Sequence, residues 1–183
     1  GYPVVLKIAS PKIIHKTDVG GVKVGLESAQ EVRNAYLEIM ESVNRLMPGA
    51  PIYGIEVQKM MPKGNELIIG MTRDLQFGPL IAFGMGGIYV NLLKDVSFRL
   101  AKGLTVQDIE QMITETKAYT LLRGYRGSTP SDIPSIVKTI ARVAQLSLDF
   151  PEIAEMDLNP VIAYPDGAVA LDVKITISYD KLK

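Results

Sequence analysis

Two strand-like runs, Ile153 to Tyr164 and Ala168 to Ile177, flank Pro165-Asp166-Gly167, and no other feature constrains the chain as strongly. A Pro-Asp-Gly turn between apolar runs folds back on itself, so the end of the chain reads as an antiparallel ribbon. Along the first arm Glu155, Asp157 and Asn159 share one face at period two. On the return arm Asp172 can lie beside Asn159. Polar groups on one side of an otherwise apolar strand are costly unless water or a ligand satisfies them. Hard oxygen donors of this kind suit Mg²⁺ that keeps several waters and touches nucleotide phosphates. The competing reading is a ribbon with one solvated face.

Upstream the chain alternates strand and helix signals. Pro3 to Ile8 and Val22 to Leu26 are β-rich runs joined by a polar loop that ends in Gly20-Gly21. Ser28 and Glu31 form a capping box, and Val32, Ala35, Tyr36, Ile39, Val43 and Leu46 follow at helical spacing until Pro48-Gly49. Ile52 to Met60, Glu66 to Thr72 and Pro79 to Phe83 read as strands. The stretch from Gly84 to Leu100 gives no single period. Thr105 with Asp108 opens a helix, and Pro130-Ser131 opens a longer one whose inner face carries Ile133, Ile136, Val137, Ile140, Val143 and Ala144. The fold class is α+β. A junction is expected between a first lobe, residues 1–70, and a second, residues 71–183.

Composition narrows the function. The 183 residues hold 20 Lys and Arg against 20 Asp and Glu, so no bulk field favours nucleic acid or an anionic membrane. There is no cysteine, which removes disulfides, thiolate metal sites and a cysteine nucleophile. No apolar run approaches a membrane span and no signal core opens the chain, which fits a cytoplasmic protein. The abrupt start at Gly1-Tyr2-Pro3 is expected of a piece of something longer.

Three further features bear on chemistry. Lys7 sits in the first apolar strand, where its ammonium either holds phosphate as a point charge or simply reaches solvent. His15, the one histidine, lies in a polar, basic loop that suits a nucleophile or acid–base group, though loop histidines are commonly just solvated. Gly84, Gly86 and Gly87 permit close approach of the backbone to phosphate, or make an ordinary turn.

Several of these stretches together resemble a known family: Gly1-Tyr2-Pro3-Val4-Val5-Leu6-Lys7, the loop Ser10 to Val22 around His15, Gly84-Met85-Gly86-Gly87, Leu122-Arg123-Gly124-Tyr125-Arg126-Gly127, and Asn159-Pro160. Over nearly the whole chain the resemblance is to the β subunit of ADP-forming acyl-CoA synthetases. It implies an ATP-grasp fold, two α+β lobes holding Mg²⁺ and ATP or ADP, with the N-terminal helical segment absent. It further implies that Lys7 contacts the nucleotide phosphates, that Gln58, Lys59 and Met60 meet adenine and that Glu66 lies near the ribose. Gly86 and Gly87 would approach the phosphates, Asn159 and Asp172 would hold the metal, His15 would carry the phosphoryl group and Asp157 would steady the phosphohistidine. The implied partner is a CoA-binding α subunit or domain, as an α2β2 assembly or a fused equivalent; this chain shows no glycine fingerprint of a CoA-binding Rossmann unit.

Two departures stand out. Asn91 takes the place of an acidic residue, and Ala101-Lys102-Gly103 replaces Ala-Pro-Leu. The alternatives are an ATP-grasp carboxylate ligase that uses no phosphohistidine and a non-catalytic regulatory ATP-grasp module, against which the joint presence of Lys7, His15, Asn159 and Asp172 argues.

Overall fold

The computed structural model describes residues 1–87 and 95–178, which form two compact units, Gly1–Pro62 and a second beginning at Lys63. The Asn91 departure lies outside the described residues. The first unit is a three-stranded antiparallel sheet in the order β2-β1-β3, formed by β1 (Val4–Ala9), β2 (Val22–Leu26) and β3 (Gly54–Lys59), with helix α1 (Ala29–Leu46) on one face. The Ser28 hydroxyl accepts from the Glu31 N–H at 3.2 Å, and the Glu31 carboxylate accepts from the Glu27 N–H at 2.9 Å, so α1 starts where its local cap dictates. Val4, Leu6 and Ile8 on β1 bury against Ala35, Ile39 and Val43.

The second unit is a six-stranded antiparallel sheet with helices on one face. Its strands are β4 (Asn65–Asp74), β5 (Gly78–Met85), β6 (Val96–Leu100), β7 (Ile153–Tyr164), β8 (Gly167–Ala170) and β9 (Val173–Ile177), ordered β6-β5-β4-β7-β8 with β9 also on β7. Helices α2 (Val106–Thr114), α3 (Ala118–Leu122) and α4 (Ile133–Asp149) complete it. Leu67, Ile69, Ile81 and Phe83 point from the sheet onto Ile109, Met112, Ile136 and Ile140, all essentially without solvent contact. Each such side chain contributes about 1.5–3 kcal/mol by leaving water.

Three features depart from the sequence expectation. First, β4 runs unbroken through Gly70, which pairs with Ala82 on one side and Asp157 on the other, so the units divide at Pro62 rather than near residue 70. Second, the return arm of the hairpin is two strands. Pro160 has no N–H to offer, and the chain accommodates it with a bulge: Leu67 pairs with Val161 while Ile69 pairs with Leu158. Opposite the bulge, the Leu171 N–H donates to Pro160 O at 2.9 Å and the Asn159 N–H donates to Asp172 O at 3.1 Å, which separates β8 from β9. Third, α4 is capped by Asp132, whose carboxylate accepts from the Ser135 N–H at 3.0 Å, with a proline in the first turn. In the Ala101-Lys102-Gly103 segment the Leu104 N–H closes a turn onto Ala101 O at 3.3 Å, and Gly103 takes φ +78°.

Candidate functional site

In the first unit the candidate residues divide between an open sheet face and a loop. The β1–β3 register sets Lys7 beside Glu56 and Val5 beside Gln58, on the face away from α1. Gln58 Nε2 donates to Glu56 Oε2 at 3.2 Å. Lys59 pairs with Val4, and the Met60 N–H donates to Pro3 O at 3.1 Å, so the Gln58-Lys59-Met60 segment is held along β1. His15 is exposed. Its loop is not featureless: Ile13 is buried in the core, Asp18 N–H donates to His15 O at 3.2 Å, Gly20 N–H to Thr17 O at 3.0 Å and Gly21 N–H to Lys16 O at 2.8 Å. The histidine is therefore presented at the tip of a sequence of turns anchored at Ile13 and Gly21.

In the second unit six candidates, Glu66, Gly86, Gly87, Asp157, Asn159 and Asp172, lie along β4 and β7 and in the segments beside them. The Gly86 N–H donates to Glu66 O at 2.9 Å, tying the glycine loop to β4. A side chain at Gly86 would meet the Leu67 backbone at 2.5 Å, and one at Gly87 would collide with the Glu66 carboxylate; Gly87 also takes φ +66°. Only glycine allows this closeness without strain. The Gly87 N–H donates to Asn159 Oδ1 at 3.3 Å, joining the loop to the β7 bulge, and the Asn159 N–H reaches Asp172 O. Glu66, Gly86 and Gly87, with Gly64, Asn65 and Leu121, line a hollow of about 440 Å³.

Asp157 lies two residues away on the same face. Its Oδ1 is buried and has no hydrogen-bond partner. Burial pushes its carboxyl above the usual carboxylate range, opposed by Lys174, which the register sets directly across on β9, and reinforced by Asp172. Lys174 is the residue that sequence reasoning missed; the period-two pattern of β9 opposite β7 was the available signal. Asp157 and Lys174 border a second hollow of about 250 Å³, floored by Gly70 and Ala82.

The donor set fits a magnesium–nucleotide group on its own chemistry. It offers hard oxygens, a cradle that any Cβ would fill, and a carboxylate oxygen awaiting a partner. Among the described residues no cluster of three or more His, Cys, Asp or Glu makes an all-protein metal cage. Mg²⁺ characteristically relies on few protein ligands. No helix among the described residues is long and apolar enough to cross a membrane.

Residues 1–177 match the ATP-grasp domain family. The chain is 48% identical over 177 residues to the β subunit of acetate–CoA ligase [ADP-forming] I of Pyrococcus furiosus, covering 97% of this chain and 76% of that one. It is 51% identical over 177 residues to acetate–CoA ligase [ADP-forming] I of Archaeoglobus fulgidus, covering 97% of this chain but 26% of that longer protein. Among solved structures it resembles the dinucleotide-forming acetyl-coenzyme A synthetase 1 of Ca. Korarchaeum cryptofilum. The form with coenzyme A, Ca-AMPCP and HgCl+ superposes with a TM-score of 0.93 at 56% identity, covering 97% of this chain and 77% of that one. A second form holds coenzyme A and Mg-AMPPCP with its phosphohistidine segment pointing towards the nucleotide site; it gives a TM-score of 0.85 at 52% identity, covering 97% and 78%. The chain belongs to the ATP-grasp domain family, among the β subunits of ADP-forming acetate–CoA ligases.

Proposed function

We propose that this chain is the nucleotide-binding, phosphotransfer part of an ADP-forming acyl-CoA synthetase, which interconverts acyl-CoA, ADP and phosphate with acid, ATP and CoA. The observation that carries the reading is the junction of Gly87, Glu66 and Asn159, where a left-handed glycine, a carboxylate and an amide oxygen converge beside the orphaned Asp157 oxygen. A Mg²⁺-bound nucleotide supplies there the phosphoryl group and the charge that offsets its transfer.

The residues have separate tasks. Asn159 and Asp172 would hold the metal, and Gly86 and Gly87, lacking side chains, let the backbone lie close to the phosphates. Lys7 contributes a point charge, Gln58, Lys59 and Met60 border adenine, and Glu66 borders the ribose. His15 accepts the phosphoryl group on an imidazole nitrogen: the new P–N bond forms as the P–O bond to the nucleotide leaving group breaks. Asp157, with a buried oxygen that lacks a hydrogen-bond partner, is the acid assigned to steadying the phosphohistidine. The chemistry of CoA belongs to a partner subunit or domain, which fits the relatives' division into a β subunit and a much longer chain.

The test is the mass of the chain after incubation with Mg-ATP and a CoA-binding partner. A labile gain of one phosphate, absent in His15→Ala, is expected. Acyl-CoA formation with no phosphate ever carried by His15 would replace the relay with a direct carboxylate ligase.

A further inference from the structure

Outside that site, the segment Tyr119 to Arg126 presents a feature to which none of the roles proposed above is assigned. Arg123 and Arg126, with Thr120, Tyr119 and Tyr125, line one polar hollow of about 260 Å³. The Arg123 guanidinium stacks 5.6 Å from the Tyr119 ring centroid and the Arg126 guanidinium 5.3 Å from that of Tyr125. Stacking fixes the plane of a guanidinium and leaves its N–H edges to face a ligand. Two other arginines of the unit are occupied by the fold: Arg73 donates to Ile153 O, Ser147 O and Phe150 O, and Arg99 pairs with Glu115. Among the described residues neither Arg123 nor Arg126 has a carboxylate partner.

The backbone supplies an independent argument. Arg126 is the one non-glycine residue with positive φ among the described residues, at +51°, between Gly124 at +90° and Gly127 at +85°. A side chain disfavours this conformation, and glycine or asparagine would make the turn at lower cost. The turn nonetheless holds firm, since a Cβ on Gly124 would strike Ser128 O, the Ser128 N–H donates to Tyr125 O at 3.2 Å and the Ser131 N–H donates to Leu122 O at 2.8 Å. An arginine kept at a strained position on a rigid turn, aimed at the same hollow as a second arginine, implies use of its side chain.

We propose that Arg123, Arg126 and the Thr120 hydroxyl form a phosphate-binding subsite distinct from the Glu66–Gly87–Asn159 site. A tetrahedral dianion has oxygens enough for two planar forks and a hydroxyl, which suits it better than a carboxylate. The phosphate is either free inorganic phosphate or a phosphate group of a bound nucleotide.

Amide spectra of the ¹⁵N-labelled chain during titration with inorganic phosphate, without Mg²⁺ and at constant ionic strength, test the proposal. Saturable shifts confined to residues 119–127 are expected, about tenfold weaker in Arg123→Gln and lost in Arg126→Gln. Arg126→Gly keeps the turn and removes the side chain, so it should lose phosphate while unfolding no earlier than wild type. If ADP shifts the same amides at lower concentration than phosphate, the phosphate is the nucleotide's; if phosphate alone shifts them, it is the free ion. Asp172→Ala should leave the response to inorganic phosphate unchanged even if Mg-ATP binding fails, which separates this subsite from the proposed nucleotide site. An unchanged response in Arg126→Gly, or no saturable shift with either phosphate or ADP, overturns the proposal.

Discussion

The Gly87 N–H donates to Asn159 Oδ1 at 3.3 Å, so one hydrogen bond joins a loop after β5 to the bulge of β7, across 72 residues of sequence. Gly87 can make it because it takes φ +66° and has no side chain to strike Glu66. Gly87→Ala should therefore fail twice. The left-handed backbone costs about 1–2 kcal/mol in stability, and displacement of Glu66 should weaken Mg-ATP binding about tenfold or more. Thermal melts and calorimetry check the two losses separately.

Asp157 is expected to trade stability for function. Its burial raises its affinity for protons in the folded chain, so at neutral pH its ionised form opposes folding. Asp157→Asn should raise the unfolding midpoint by about 2–4 °C, and at the same time abolish retention of the acid-labile phosphate. A variant that is less stable than wild type would show that the carboxylate is fully satisfied in solution.

Four carboxylates behave in the opposite sense. Hydrogen bonds from the Thr105 hydroxyl hold Asp108 below the usual carboxylate range, those from Ser135 do the same for Asp132, Arg99 does so for Glu115, and the Phe77 backbone N–H does so for Asp74. A depressed carboxyl binds fewer protons folded than unfolded. Its contribution is complete above the unfolded value of about 4 and disappears as pH falls through the folded one. Melting temperature should hold between neutrality and the ordinary carboxylate range and drop below it, with a shallower drop in Asp132→Asn. An equal drop in that variant would remove Asp132 from the account.

Local signals were legible and tertiary ones were not. The caps of α1 and α2 rest on residues within one turn, Ser28 with Glu31 and Thr105 with Asp108, and both read directly from sequence. Helix α3 carries no such mark, because its cap is the Asp95 carboxylate, which accepts from Lys117 N–H at 2.7 Å and Ala118 N–H at 3.3 Å. The guanidinium of Arg73 closes the end of α4 from a distant strand. Gly70 looks like a breaker until its partners on both sides, Ala82 and Asp157, are known. In the site, the period-two face of β7 was visible, whereas the cross-strand placement of Lys174 depends on where the β8–β9 break falls, and that is set by Pro160 on the opposite strand.

Nucleotide binding and phosphoryl transfer are assigned to different residues, and calorimetric titration of Mg-ATP into wild type, Asp172→Ala and His15→Ala tests this most directly. His15 lies exposed at a loop tip, whereas Asp172 is fixed to Asn159 through its carbonyl beside the glycine cradle. His15→Ala should bind Mg-ATP within about twofold of wild type, while Asp172→Ala should bind at least about tenfold more weakly. Wild-type affinity in Asp172→Ala, or a tenfold loss in His15→Ala, would contradict it.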